Sequence, residues 1–452
     1  MQIEPSSFKD TDACVYIEND EIYRKFSADY KKVFDRFIES GLYTRLLDEN
    51  LIIEHESVSE DTIKPKKVFI SYPWEWCFSQ LKDAALATLK IQRIALDYNM
   101  TLKDANCFNI QFVDNNPLLI DTSSFEEYIE GTPWIAYKQF CENFLAPLAL
   151  MAYKDISLNS LFLSDINGIS LELTSKLLPF KTLFNFNLLM HIHLHSKIKK
   201  TNSEKTMKQK EIYLSKEKLK FLIENLINTV KHISCPKVNT EWGEYYSDIN
   251  YTETAFKKKE EVIENYRNNI VKPQKVLDLG ANIGVFSRLF SKQGSFVYSF
   301  DMDRNAVQKN YKLAKQNNET NIMPLVFDLV NPSPALGWNN NERKLMSERL
   351  GNIDLTLALA LIHHLRITYN IPLIMAAEHF SKISKYLIIE FPDKNDSKVL
   401  QMLANRKDIF DDYTEAGFEK DFGKFYNILQ KNKIEETNRT IYLLEVKDAK
   451  NC

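Results

Sequence analysis

A chain of 452 residues is long enough for two or three domains, each with a core of its own. Its 58 Lys and Arg against 61 Asp and Glu leave a formal net charge of −3 with both signs interspersed, so no nucleic-acid-binding field is expected. Cys14, Cys77, Cys107, Cys141, Cys235 and Cys452 form no CxxC pair for zinc or redox work, and neither a secretory leader nor a bilayer-length apolar run is visible; a reducing cytoplasm and no membrane partner are expected.

In chain order, the first legible element is SYPWEW at 71–76, a turn and aromatic helix start in which Tyr72, Trp74 and Trp76 read as packing residues. A long helix is predicted over Trp74–Tyr98, with Leu81, Ala85, Leu89 and Gln92 along one face. Met100–Phe125 follows as MTLKDANCFNIQFVDNNPLLIDTSSF, with Asp104, then Asn109, then Asp121 after a short apolar strand at Pro117–Ile120. This spacing resembles the catalytic loop and metal-binding aspartate of the protein-kinase and aminoglycoside-phosphotransferase fold. The resemblance implies that Asp104 accepts a substrate proton while Asn109 and Asp121 hold magnesium on nucleotide phosphates. The departures are specific: Cys107 and Phe108 replace a polar pair, Lys103 stands where arginine is common, and Thr122-Ser123 follows Asp121. Gly41 is the only glycine before residue 131, so no glycine-rich phosphate loop exists upstream, and no VAIK-type strand lysine is evident. Residues 1–196 are therefore expected to form an α+β, degenerate kinase-like lobe reused for acceptor recognition; an active kinase and a chance spacing are the alternatives.

His191, His193 and His195 alternate in LLMHIHLHSK. On a strand they would share a face and suit zinc; on a helix end, the reading preferred here, they diverge and no metal is expected. Composition changes near residue 197, where Lys197–Lys220 becomes lysine-rich and almost free of apolar residues. Residues 197–240 read as a solvated linker entering a charged helix over Lys216–Lys231, with Leu219, Leu222, Ile223 and Leu226 on one face.

The last segment, 241–452, carries the strongest motif. Trp242, Tyr245, Tyr246 and Tyr251 precede a helix predicted over Thr252–Asn268, from which an aromatic could close over a ligand or simply pack. KVLDLGANIGVFS at Lys275–Ser287 then places Asp278 at the end of a buried strand, with Gly280 and Gly284 in the following turn. Asp301 follows the apolar run Phe296–Phe300, and Asp328 follows Ile322–Phe327. Three successive strands each end in a carboxylate, and the first turn reads D-x-G-x-x-x-G. The pattern resembles the class I S-adenosylmethionine-dependent methyltransferases. That resemblance implies a doubly wound, Rossmann-like α/β sheet of seven strands, one antiparallel, with S-adenosyl-L-methionine as cofactor. By the same resemblance the Gly280 turn packs on the methionine part, Asp301 accepts from the ribose hydroxyls and Asp328 contacts the adenine amino group. Asn282, Met302 and Leu329 are their neighbours in the three turns. A carboxylate suits a vicinal diol because it offers acceptors and no donor. Asp303 is the alternative to Asp301, and a helix N-cap or solvated loop is the alternative reading of each acid.

Further strands are predicted at Ile353–Leu359, Tyr386–Glu390 and Thr440–Val446. The fourth strand runs into His363 and His364, either of which is a candidate base, half-neutral at physiological pH; the alternative is that they cap the next helix. Glu390, Asp393 and Asp396 in IEFPDKNDS could orient an acceptor or bind a metal, or Asp396 could serve as a helix N-cap. The whole arrangement resembles bacterial nodulation-type methyltransferases with an N-terminal kinase-like lobe, some of whose relatives decorate saccharides. This implies O-methylation of a saccharide or small-molecule acceptor. A non-catalytic S-adenosylmethionine-binding scaffold or sensor, and a kinase-like phosphotransferase fused to a methyltransferase, are the rival readings.

Overall fold

A computed structural model describes residues 2–197, 213–236, 252–269, 272–404 and 406–447. Met1–Lys237 and Ser333–Leu345 make up one unit, and Val238–Pro332 with Met346–Cys452 the other.

The first unit begins with an antiparallel sheet of β1 (Gln2–Ile3), β2 (Ala13–Glu18), β3 (Glu21–Phe26), β4 (His55–Ser59) and β5 (Thr62–Pro65), in the order β1-β2-β3-β5-β4. Ser27 caps the helix that follows β3, Ala28–Glu39, by accepting from Tyr30 N, and the helix buries Tyr30, Phe34 and Phe37. The long helix is Phe78–Asp97, and Leu81, Ala85, Leu89 and Gln92 are all buried on it. It starts later than the predicted Trp74 because Pro73–Glu75 is a separate turn of 3-10 helix. Asn159 Nδ2 lies 3.4, 3.3 and 3.0 Å from the carbonyls of Pro73, Trp74 and Trp76, which satisfies buried backbone outside the long helix.

Two hairpins complete the central part of this unit. β6 (Met100–Leu102) pairs with β9 (Phe125–Glu127), and between them β7 (Ile110–Val113) pairs with β8 (Asn116–Leu119). The β7–β8 turn is Asp114-Asn115, both at positive φ (52° and 58°), the geometry a two-residue hairpin with right-handed strand twist requires. Asp104 lies in the β6–β7 connection, Asn109 immediately before β7, and Asp121 between β8 and β9.

The charged helix is Lys216–His232, with Leu219, Ile223 and Leu226 buried and Leu222 half-buried. Ion pairs Lys220–Asp97 (2.5 Å) and Arg93–Glu224 (3.4 Å) tie it to the Phe78–Asp97 helix, so the end of the sequence-defined linker is a built part of the first unit. The segment Ser333–Leu345 belongs to the same unit, a feature that sequence reading does not anticipate. Glu342 pairs with Lys9 at 2.8 Å, Lys344 with Glu4 at 2.8 Å, and the Arg343 guanidinium lies 4.0 Å from the Phe108 ring centroid. His191 bonds Tyr137 and Asn225 (2.7 Å each), His193 bonds Ser175 (2.8 Å) and Thr182 (2.9 Å), and His195 stacks on Tyr137. The three histidines thus diverge, and among the described residues no group of His, Cys, Asp or Glu is arranged to hold a metal.

The second unit opens, within the described residues, on the helix Glu253–Asn269; the four aromatics before it lie outside them. A seven-stranded sheet follows: β10 (Lys275–Leu279), β11 (Phe296–Asp301), β12 (Ile322–Val326), β13 (Ile353–Ala358), β14 (Ser384–Pro392), β15 (Tyr426–Ile434) and β16 (Arg439–Val446). Its order is β12-β11-β10-β13-β14-β16-β15, and β16 runs antiparallel to both its neighbours. Central parallel strands are covered on both faces, which is why β10 is buried from Val276 to Leu279 without alternation. Tyr266, Phe290, Val297, Leu355 and Ile388 meet in one core cluster. Because the strand order reverses between β10 and β13, the loops leaving their carboxyl ends part and open a crevice. Among the described residues no helix is long and apolar enough to cross a membrane.

Candidate functional site

A cavity of about 500 Å³ lies at the carboxyl ends of these strands. Asp278, Gly280, Asn282, Asp301, Met302, Asp328 and Leu329 all line it.

The turn after β10 is built by backbone hydrogen bonds from Gly280 N and Ala281 N to Phe300 O, both 2.9 Å. Gly280 has φ +74°, and a Cβ there would meet only the Leu361 side chain, at 3.8 Å; Asn282, at φ 52°, takes a conformation asparagine tolerates. Gly284 has a different purpose. It is absent from the cavity wall, and a Cβ on it would fall 2.6 Å from Asn310 Oδ1, so glycine is required for packing at the start of the Val285–Ser291 helix.

Asp301 Oδ2 accepts from Asn282 N and Oδ1 from Asp303 N, each at 2.8 Å. Two backbone donors therefore fix the plane of the carboxylate, and each oxygen keeps acceptor capacity for a ligand. Burial pushes Asp301 up to about 6, against the lowering effect of those two N–H groups. Asp303 is placed elsewhere: its Oδ1 accepts from Asn305 N at 2.7 Å as the N-cap of the Arg304–Gln316 helix, and it does not line the cavity. Asp278 accepts from Ser287 Oγ at 2.6 Å and is pushed up to about 7, chiefly by burial. Asp328 both lines the cavity and accepts from Val330 N and Asn331 N, so the loop-turn and ligand readings coexist in one residue.

This geometry fits S-adenosyl-L-methionine. Asp301 and the glycine turn would hold the ribose and methionine parts, and the β12 end with Asp328 the adenine. The fit rests on an oriented carboxylate at the second strand end and a backbone approach free of Cβ atoms.

His363, His364, Tyr369, Lys398 and Gln401 also line the cavity, as does Lys259 from the Glu253–Asn269 helix. The basicity of the two histidines departs from that of an ordinary imidazole. Burial holds His363 well below its ordinary value, and burial with the Arg439 and Lys398 charges holds His364 down to about 4. Both imidazoles are neutral at physiological pH and weak as bases. The His363 side chain makes no helix-cap hydrogen bond, and its Nδ1 is buried with no hydrogen-bond partner. The carboxylates nearby in sequence are held by cations: Glu390 pairs with Lys259 at 2.7 Å, and Asp396 pairs with Arg439 at 2.7 Å while accepting from Lys398 N as a helix N-cap. Asp393 accepts from Asn395 N in its own turn. Lys259, Lys398 and Ala360, which lines the cavity at φ 49°, are site residues that sequence reading missed. Only the pairing of elements distant in the chain reveals them.

In the first unit, Asp121 is ion-paired with Arg24 of β3 and accepts from Ser123 N (2.9 Å) and Ser124 Oγ (2.9 Å). Asn109 Nδ2 donates to the same Ser124 Oγ at 3.2 Å. Asp104 instead accepts from Asn106 N and from Gln139 Nε2 at 2.7 Å. Asn109 and Asp121 are thus brought together through Ser124, whereas Asp104 sits in a separate network.

The chain is similar to several known proteins. The family model of Tellurite resistance protein TehB matches residues 238–335. Over 455 residues the chain is 31% identical to Nodulation protein NoeA of Rhizobium meliloti (strain 1021), covering 97% of this chain and 95% of that protein. Magnesium protoporphyrin IX methyltransferase (ChlM) from Synechocystis PCC 6803, solved with bound SAH, aligns at 17% identity over 46% of this chain and 93% of its own, with a TM-score of 0.32. A SAM-dependent methyltransferase from Aquifex aeolicus aligns at 14% identity over 46% and 100%, with a TM-score of 0.31. The chain belongs to the NoeA family of nodulation proteins and is a class I S-adenosylmethionine-dependent methyltransferase.

Proposed function

We propose that the protein O-methylates a saccharide or small-molecule acceptor bound at the His363–Lys398 end of the cavity, with Asp301 holding the cofactor ribose. The observation that carries this reading is the Asp301 carboxylate, oriented by two backbone donors and facing a cavity that continues to a polar wall. The bound cofactor supplies an electrophilic methyl group, and the protein's task is alignment in a site with little water. Leu359, Leu361 and Leu365 give that site an apolar lining, while Tyr369 and Gln401 offer hydrogen bonds to an acceptor. The resemblance to nodulation-type methyltransferases, and a relative named for nodulation, support a saccharide or related acceptor. The free thiols of Cys14, Cys77, Cys107 and Cys141 support work in the cytoplasm.

In this reading the first unit recognises the acceptor. The β6–β9 and β7–β8 hairpins, with Asp104, Asn109 and Asp121 at their ends, support a kinase-like strand plan. Arg24 occupying Asp121 argues against phosphoryl transfer, since metal binding there would have to displace a largely buried guanidinium. The test is incubation with isotopically labelled S-adenosylmethionine and fractionated saccharide and small-molecule extracts. Transfer of label to one acceptor supports the reading. Binding of S-adenosylhomocysteine with no transfer to any fraction would favour the scaffold or sensor, and magnesium-dependent ATP binding lost in Asp121→Asn would favour the phosphotransferase.

A further inference from the structure

Lys398 stands in the cavity wall, and among the described residues its ammonium has no ion-pair or hydrogen-bond partner. His363 is 2% exposed, lines the same wall and keeps Nδ1 without a partner. The carboxylates close by in the fold do not neutralise this wall: Glu390 is fully buried against Lys259 and Arg439, and Asp396 is paired with Arg439. The three cavity-lining aspartates, Asp278, Asp301 and Asp328, stand at or beyond the ends of β10, β11 and β12, in the half that fits the cofactor.

A neutral hydroxyl acceptor needs a group to take its proton as it attacks. At this end Glu390 and Asp396 are committed to cations, and burial with neighbouring cations holds both imidazoles below their ordinary basicity. An acceptor oxygen that is already ionised needs no base and finds the unpaired Lys398 ammonium, with the unpartnered His363 Nδ1 buried beneath the same wall. We propose that the acceptor is a carboxylate, held by Lys398 and His363, and that the product is a methyl ester. Transfer to a carboxylate oxygen forms one O–C bond, breaks the C–S bond, converts the sulfonium to a thioether and leaves no proton to remove. The inference rests on the cofactor lying against the Asp301 half of the cavity.

The experiment titrates the full chain, saturated with S-adenosylhomocysteine, with benzoate and glucuronate and with their neutral counterparts benzyl alcohol and glucose. The carboxylates are expected to bind and the neutral compounds not, and Lys398→Gln is expected to weaken the carboxylates about tenfold while leaving S-adenosylhomocysteine affinity within about twofold. Equal or better binding of the neutral compounds, or no binding of either carboxylate, overturns the proposal. A tenfold loss of S-adenosylhomocysteine affinity in Lys398→Gln also overturns it, since Lys398 would then hold the cofactor's own carboxylate. Failure of the unmodified chain to bind S-adenosylhomocysteine would remove the cofactor reading itself, a distinguishable result. In a second measurement, methyl label transferred in extract is expected to leave as volatile methanol under mild alkali. Alkali-stable label would mean an ether or amine and overturn the ester.

Discussion

Asp121 lies just after a β-strand and Asp301 ends one, and both are singled out by the spacing of acids after apolar runs, yet the two units treat them in opposite ways. Asp121 is closed by its own chain: Arg24 supplies the opposite charge, and Ser123 and Ser124 supply donors. Asp301 receives backbone N–H groups, from Asn282 and Asp303, lines a cavity, and among the described residues has no cation paired to it. An acid whose charge is compensated internally serves the fold. An acid that is oriented but not compensated is available to a ligand, and the Asp301 pKa is raised chiefly by burial.

The largest effect that would sharpen this contrast is on stability. Asp121→Ala should cost the first unit about 3 kcal/mol in denaturant unfolding, because it strands the largely buried Arg24 guanidinium, and should leave S-adenosylhomocysteine affinity unchanged. A neutral result would mean that the ion pair is not structural. Asp301→Ala should do the reverse, with affinity falling about 100-fold in calorimetry and stability moving by about 1 kcal/mol at most.

A smaller effect follows from proton uptake. Burial raises Asp301 to about 6, so the ionised form that accepts from a diol is present above that pH and lost as pH falls through it. Affinity for S-adenosylhomocysteine should therefore weaken about tenfold between pH 7.5 and pH 5. Affinity is the proper readout, because His364, lowered to about 4, makes the fold more stable as pH rises across the range where raised Asp301 makes it less so. An unchanged affinity at pH 5 would break the assignment. The smallest effect belongs to Asp303→Ala, which removes a helix N-cap and should cost about 1 kcal/mol of stability with no change in affinity.

What was legible in the sequence was local. The turn after β10, and the acids ending β11 and following β12, are each specified within about ten residues by apolar runs and glycines, and all of them reach the cavity wall except Gly284, whose demand for glycine comes from Asn310 across the helix. The choice between Asp301 and Asp303 depended on which side chain faces back to the glycine turn, and a sequence cannot show that. Long-range pairs were not legible at all. Lys259 and Glu390 lie 131 residues apart, and nothing in the periodicity of either helix or strand announces that one neutralises the other. The same holds for Arg24 with Asp121, and for Ser333–Leu345, a stretch between two strands of the second unit whose Glu342 and Lys344 find partners near the N-terminus. β15 was hidden for another reason: Tyr426–Ile434 is an edge strand with most of its side chains exposed, so its sequence is polar and lacks an apolar signature. The histidines after β13 show how burial and neighbouring cations overrule an ordinary pKa, and with it the role that residue type alone suggests.

The most direct test is calorimetric titration of the full chain and of Asp301→Ala with S-adenosylhomocysteine, alongside ATP with magnesium. The expected result is binding of S-adenosylhomocysteine by the unmodified chain, lost in the variant, with no heat from the nucleotide. Undiminished binding by Asp301→Ala, or binding of ATP with magnesium alone, would contradict the placement of the cofactor at this carboxylate.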